Sequence, residues 1–129
     1  MKFTQIKETC LYVSDLNKTK EFYCEKLGLE LHSFANNSYV FFRAGSSMLL
    51  CFLNDTTKKQ NSLPSHYAKG QIHFAFEIQR EDYDNCKTTL VIKGIVIEHE
   101  QTWKNNIKSF YFRDPDNHLV EVLQPGMWE

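Results

Sequence analysis

Apolar and polar positions alternate with a period of two at several places along the 129 residues, and each such stretch predicts a strand. The first lies within residues 3–13, where Thr9, Leu11 and Val13 alternate with Glu8, Cys10 and Tyr12. Ser14 and Asp15 follow as N-cap candidates. Leu16, Phe22, Tyr23 and Leu27 then recur at near-helical spacing, with Gly28 as a stop. Residues 29–34, 39–43 and 48–53 read as strands, separated by the turn formers Asn36-Asn37-Ser38 and Gly45-Ser46-Ser47. The polar stretch 54–69 contains Pro64 and reads as a linker or mobile loop, with Lys58 and Lys59 in water.

The same order then begins again. Ile72, Phe74, Phe76 and Ile78 share one face of a predicted strand, and His73, Ala75 and Glu77 share the other. Residues 81–93 fit a helix with Tyr83, Cys86 and Leu90 on one side and Gly94 as its stop. Strands are expected at 95–98, 107–112 and 119–123, with turns at 104–106 and 114–117. The spacing from Glu8 to Gly28 nearly equals that from His73 to Gly94. This is a duplication carried by pattern rather than identity. The predicted class is α+β, with two βαβββ modules in one domain spanning 1–129: module one at 1–54, a linker at 55–70 and module two at 71–129. One face of each sheet would pack on its helix. The opposite, half-polar faces would curve together as a mixed sheet around a cavity.

Composition narrows the function classes. Hydrophobic residues make up 42% and charged residues 24%, which argues against disorder. Fifteen Lys and Arg oppose 16 Asp and Glu, a net charge of -1. That leaves no basic excess to neutralise phosphates, so no nucleic-acid partner is expected. Apolar runs are too short to span a membrane, and the first residues lack the apolar core of a signal peptide, so a cytoplasmic protein is expected. Cys10, Cys24, Cys51 and Cys86 are widely spaced with no Cys-x-x-Cys, which predicts free, mostly buried thiols.

Three polar residues interrupt strand patterns. Each has an ordinary reading by itself: Glu8 in water on an edge strand, His73 as a hydrogen-bonded core residue, Glu121 as structural or exposed. Together they carry more. Glu8 and His73 occupy equivalent first strands, and Glu121 lies in the last strand of the second half. If the halves face each other, one imidazole and two carboxylates converge. That nitrogen and oxygen set suits a divalent cation such as Mn, Fe(II), Co, Ni or Zn, with open positions for substrate or water.

The stretch from Glu8 through Val13-Ser14-Asp15-Leu16 to Glu21-Phe22-Tyr23 and Lys26-Leu27-Gly28 resembles the opening of the vicinal oxygen chelate superfamily. Gln71-Ile72-His73-Phe74 is similar to the start of its second module. The run from Ser109 through Asp114-Pro115-Asp116-Asn117-His118 to Glu121 is similar to its closing signature. The superfamily includes glyoxalase I, fosfomycin-resistance thiol transferases, methylmalonyl-CoA epimerase, extradiol dioxygenases and bleomycin-binding proteins. The resemblance implies a metal-binding cavity with Glu8, His73 and Glu121 as ligands. Glu8 stands where the family commonly has His, which adds negative charge and favours harder cations. A fourth ligand of the glyoxalase I kind would match Leu50, which cannot ligate, so a three-ligand site fits better.

Further candidates share these faces. Cys10 and Tyr12 follow Glu8 along its strand and are candidates for substrate contact, with packing as the alternative for Cys10. The resemblance places Ser109 and Tyr111 near substrate, with the Tyr111 phenol as a hydrogen-bond donor to an oxyanion and Glu121 also catalytic. Trp103 is expected to cap the pocket, and His66 to approach it from the linker. His32, His99 and His118 are assigned no role. The leading expectation is a metal-dependent, glyoxalase-like lyase or isomerase acting on a small oxygen-chelating substrate. The alternatives are a fosfomycin-type thiol transferase, with a thiol cosubstrate, and a metal-free ligand-binding protein of bleomycin type. A homodimer is expected from the resemblance.

Overall fold

The computed structural model describes residues 1–59 and 62–129, which form two compact units, Met1–Gly70 and Gln71–Glu129. In the first, β1 (Glu8–Val13) leads through a helix to β2 (Glu30–Ala35), β3 (Tyr39–Ala44) and β4 (Ser47–Leu53). In the second, β5 (His73–Glu77) leads through α2 (Tyr83–Ile92) to β6 (His99–Thr102), β7 (Lys108–Arg113) and β8 (Leu119–Leu123). The sheets have the same topology, β1-β4-β3-β2 and β5-β8-β7-β6. In both, the first strand runs parallel to the last and the remaining pairs are antiparallel. This is the expected α+β duplication.

The helix of the first unit starts as α1 (Leu16–Lys20), capped by Asp15, whose Oδ1 accepts the Lys18 N–H at 3.0 Å. It continues as a wider π turn over Glu21–Lys26, in which the Leu27 N–H reaches back to the Phe22 carbonyl at 3.0 Å. The consecutive Phe22 and Tyr23 are both buried there, and Tyr23 meets Phe42 with ring centroids 5.6 Å apart. Leu11, Val13, Val40 and Phe42 complete that side of the sheet, all fully buried. In the second unit Phe110, Phe112 and Val120 are fully buried, and Tyr83 of α2 stacks edge-on to Phe110 at 5.3 Å.

The strand expected at 95–98 does not form there, and β6 begins at His99. Ile95 instead closes the helix. Its N–H donates to the Leu90 carbonyl at 3.0 Å, the Gly94 N–H donates to Val91, and the Ile95 side chain is buried. Gly94 holds a positive φ of 85°, so the apolar run after it belongs to a helix stop. The helix expected over 81–93 is Tyr83–Ile92, entered through a short 3₁₀ turn at Arg80–Asp82. The first strand starts at Glu8 rather than within residues 3–7.

The described part of the linker is folded back on itself. The His66 N–H donates to the Thr57 carbonyl at 3.1 Å, and Thr57 is buried. Lys58 and Lys59 are exposed, as expected, and Lys58 lies 3.7 Å from Asp55 and over the Tyr67 ring. Residues 60 and 61 of the expected linker lie outside the described residues. None of the four cysteines is in a disulfide; Cys51 is buried and the other three are half-buried, so the expected burial holds fully only for Cys51. Among the described residues no helix is long and apolar enough to cross a membrane.

Candidate functional site

Register and alternation place His73, Leu119, Glu121, Tyr111 and His99 on the face of the second sheet opposite α2. Parallel pairing sets His73 beside Leu119 and Ala75 beside Glu121. Glu121 is buried and His73 exposed, with His73 Nε2 3.2 Å from Glu121 Oε2. The other ring nitrogen, Nδ1, lies 3.0 Å from the Leu119 carbonyl oxygen. A carbonyl can only accept, so Nδ1 carries the proton and donates. In the neutral ring Nε2 then presents a lone pair to a carboxylate oxygen. Two acceptors at that distance need a proton or a cation between them. A histidine whose Nδ1–H is held by a carbonyl while Nε2 faces a carboxylate has the donor arrangement of a metal ligand.

Tyr111 pairs across the ladder with Glu121, and its ring centroid is 6.1 Å from that of His73. Burial is the main cause that pushes its phenol pKa up. The hydrogen bond to Glu121 and that carboxylate's charge add to the rise, and a hydrogen bond with Ser109 opposes it. Tyr111 therefore stays protonated, as a donor must. Ser109 is fully buried and accepts the Trp103 Nε1–H at 3.0 Å. Trp103 is thus tied to the β6–β7 hairpin through its indole, and its backbone N–H donates to Ile107 at 2.7 Å.

The first sheet offers different chemistry on its corresponding face. Glu8 is exposed at the start of β1, and Cys10 and Tyr12 follow it half-buried. Burial, and secondarily the Glu8 charge, pushes the Cys10 thiol up, away from a reactive thiolate. Tyr12 Oη is 2.7 Å from His66 Nδ1, so His66 engages β1 through this contact. Leu50 pairs with Cys10 as Glu121 pairs with Ala75. An aliphatic residue therefore occupies the place in the first sheet that the carboxylate holds in the second. Phe41 pairs with Leu50 where Tyr111 pairs with Glu121.

The expected residues therefore fall into two sets. The second unit gathers His73, Glu121, Tyr111, Ser109 and Trp103, and the first carries Glu8, Cys10 and Tyr12 on one strand face. Within either unit, among the described residues, no group of three or more His, Cys, Asp and Glu side chains is set to hold a metal. The second unit supplies two donors. Two histidines given no role meet neighbours of those donors. His99 lies against Tyr111, with centroids 5.9 Å apart, because β6 begins later than its apolar run suggested. His118 is buried, and its Nδ1 accepts the Ile72 N–H at 3.1 Å. Its signal was its place just before the apolar strand, in a turn otherwise made of solvent-preferring residues.

A family model described as the glyoxalase/bleomycin resistance protein/dioxygenase superfamily matches residues 5–122, and the chain belongs to that superfamily. A glutathione transferase, FosA, of Serratia marcescens is 32% identical over 87% of this chain and 74% of its own. A metallothiol transferase, FosB, of Lysinibacillus sphaericus is 30% identical over 94% of this chain and 82% of its own. The crystal structure of a lactoylglutathione lyase from Agrobacterium tumefaciens superposes with a TM-score of 0.91 at 36% identity, covering 97% of this chain and 96% of that one.

Proposed function

We propose that this protein is a metal-dependent, glyoxalase-like enzyme acting on a small, oxygen-bearing substrate with a thiol cosubstrate. The His73–Glu121 pair carries the reading: Nδ1–H is committed to Leu119, so the 3.2 Å gap between Nε2 and the carboxylate is a place for a cation. Glu8 is the third ligand in this proposal. Two carboxylates and one imidazole suit Mn, Fe(II), Co, Ni or Zn. Bound there, the metal supplies Lewis-acid stabilisation of an oxyanion. Tyr111, kept protonated, donates a hydrogen bond to that oxygen, and Ser109 and Trp103 hold the phenol's surroundings in place. Glu121 accepts or returns a proton at the substrate carbon. Cys10 and Tyr12 contact the substrate from β1. The relatives' printed activities, glutathione transfer, metallothiol transfer and lactoylglutathione cleavage, all involve a thiol and support the cosubstrate.

Thiol transfer to an epoxide of fosfomycin type is the second reading. Leu50 favours it: the first sheet provides no fourth ligand at the position matching Glu121. The test is metal analysis of the protein after metal loading, followed by hemithioacetal isomerisation and thiol addition to fosfomycin with glutathione or another low-molecular-weight thiol. About one metal equivalent is expected, lost in His73→Ala and in Glu121→Ala. Native protein that takes up no metal overturns both enzyme readings and leaves the metal-free binding protein. A cytoplasmic homodimer is part of the proposal, and light scattering on the eluting peak checks the dimer.

A further inference from the structure

The turn that precedes β8 is built around two buried side chains, Asp114 and His118. Asp114 Oδ1 accepts the N–H groups of both Asp116 and His118 at 2.9 Å, and the Asp114 N–H donates to the His118 carbonyl at 3.1 Å. Asn117 takes a positive φ of 63°, which lets the chain reverse there. These bonds fix the His118 backbone, and the buried imidazole points its Nδ1 at the Ile72 N–H. An amide can only donate, so His118 Nδ1 is unprotonated and the proton sits on Nε2. The neighbouring bonds alternate in direction: the Leu119 N–H donates to the Ile72 carbonyl at 2.8 Å, and the Leu119 carbonyl accepts from His73 Nδ1. Two consecutive residues, His118 and Leu119, therefore grip two others, Ile72 and His73, through three hydrogen bonds.

We propose that His118 is a positioning residue that sets His73. By holding Ile72, it fixes β5 against β8 so that the Leu119 carbonyl meets His73 Nδ1 and His73 Nε2 is left facing Glu121. The two rings must then hold opposite tautomers, His118 protonated on Nε2 and His73 on Nδ1. The proposal rests on the metal reading only for its effect on metal affinity; the tautomers and the amide protection stand without it.

Imidazole ¹⁵N spectra of the metal-free protein at alkaline pH test the geometry directly. Opposite tautomers are expected, and the same tautomer on both rings overturns the proposal with no variant needed. Two substitutions then test the consequence. His118→Leu removes the acceptor, whereas His118→Asn places an amide oxygen close to where Nδ1 stood. In His118→Leu the Ile72 amide is expected to exchange at least about tenfold faster and zinc affinity to fall about 10- to 100-fold, the range for loss of an outer-shell partner. His118→Asn is expected to restore both to within about threefold of the native protein. Native exchange and zinc affinity in folded His118→Leu, or failure of Asn to restore either, would overturn it. If native protein binds no zinc, the metal reading falls while the exchange and tautomer results still decide the role of His118.

Discussion

A phenol and a carboxylate mark one matched pair in the two sheets: Tyr111 stands beside Glu121, where the first sheet has Phe41 beside Leu50. Tyr111→Phe keeps the ring and removes the donor. In whichever of the two assays is positive, kcat is expected to fall about 100-fold with KM little changed, as for loss of one oxyanion donor. A loss confined to KM would assign Tyr111 to binding alone. At the far side of the same unit, Glu100 accepts from Lys87 and from the buried Tyr83. Those bonds, Lys87 first, hold its carboxyl below the usual carboxylate range. A lowered folded pKa stabilises the fold above the unfolded pKa, and the gain disappears as pH falls through the folded value. Glu100 is partly exposed, so Glu100→Gln is expected to cost about 1 kcal/mol or less in urea unfolding near neutral pH, and progressively less towards pH 3. A deficit that grew on acidification would contradict this origin. The strand placement of Glu8, His73 and Glu121 is legible, because a charged or imidazole side chain interrupts an apolar pattern, but singly each has an ordinary reading and only the set points to a site. Hydrogen-bond direction is not legible: nothing in the order of residues says that His73 donates to Leu119 while His118 accepts from Ile72.

At the scale of elements, alternation identifies seven of the eight strands, because each pairs an apolar face with a mixed one. It misreads 95–98, where Ile95, Val96 and Ile97 look strand-like. The deciding interaction is the helix stop. Gly94 takes the left-handed conformation, the Ile95 N–H donates back to the Leu90 carbonyl, and the Ile95 side chain is buried. Local β preference in three residues loses to two hydrogen bonds and the burial of Ile95. Ile95→Ala is therefore expected to cost about 2 to 3 kcal/mol and to loosen the end of α2. Amide exchange should rise at Gly94 and at the substituted position, and stay native along β6 and β7. Exchange that spread first into β6 would show that Ile95 supports the sheet. The π turn is also invisible as a pattern, since the apolar spacing of Leu16, Phe22, Tyr23 and Leu27 does not say that the Leu27 N–H reaches Phe22 rather than Tyr23. The loop at 54–69 is read from its polarity and Pro64, which cannot reveal that His66 within it meets Tyr12 of β1.

For the whole molecule, near-zero net charge conceals how charge is placed. Within the second unit, a buried carboxylate faces a ring nitrogen whose partner nitrogen is already committed. Unless a proton or a metal lies between them, the arrangement is repulsive, so on the proposed metal reading binding and folding are linked. A metal that binds only the folded chain at about 100 times its dissociation constant adds roughly 2.7 kcal/mol to stability. Thermal unfolding is therefore expected to shift upward on adding zinc or manganese, and back on adding a chelator. His73→Ala and Glu121→Ala should abolish the shift. Glu8→Gln separates the donor sets, because Glu8 belongs to the other unit. If it completes the ligand set, the amide lowers metal affinity and shrinks the shift at a fixed metal concentration while leaving metal-free stability close to native, since Glu8 is exposed. An undiminished shift in Glu8→Gln would confine the metal to the His73–Glu121 pair and leave Glu8 a solvated strand-end carboxylate.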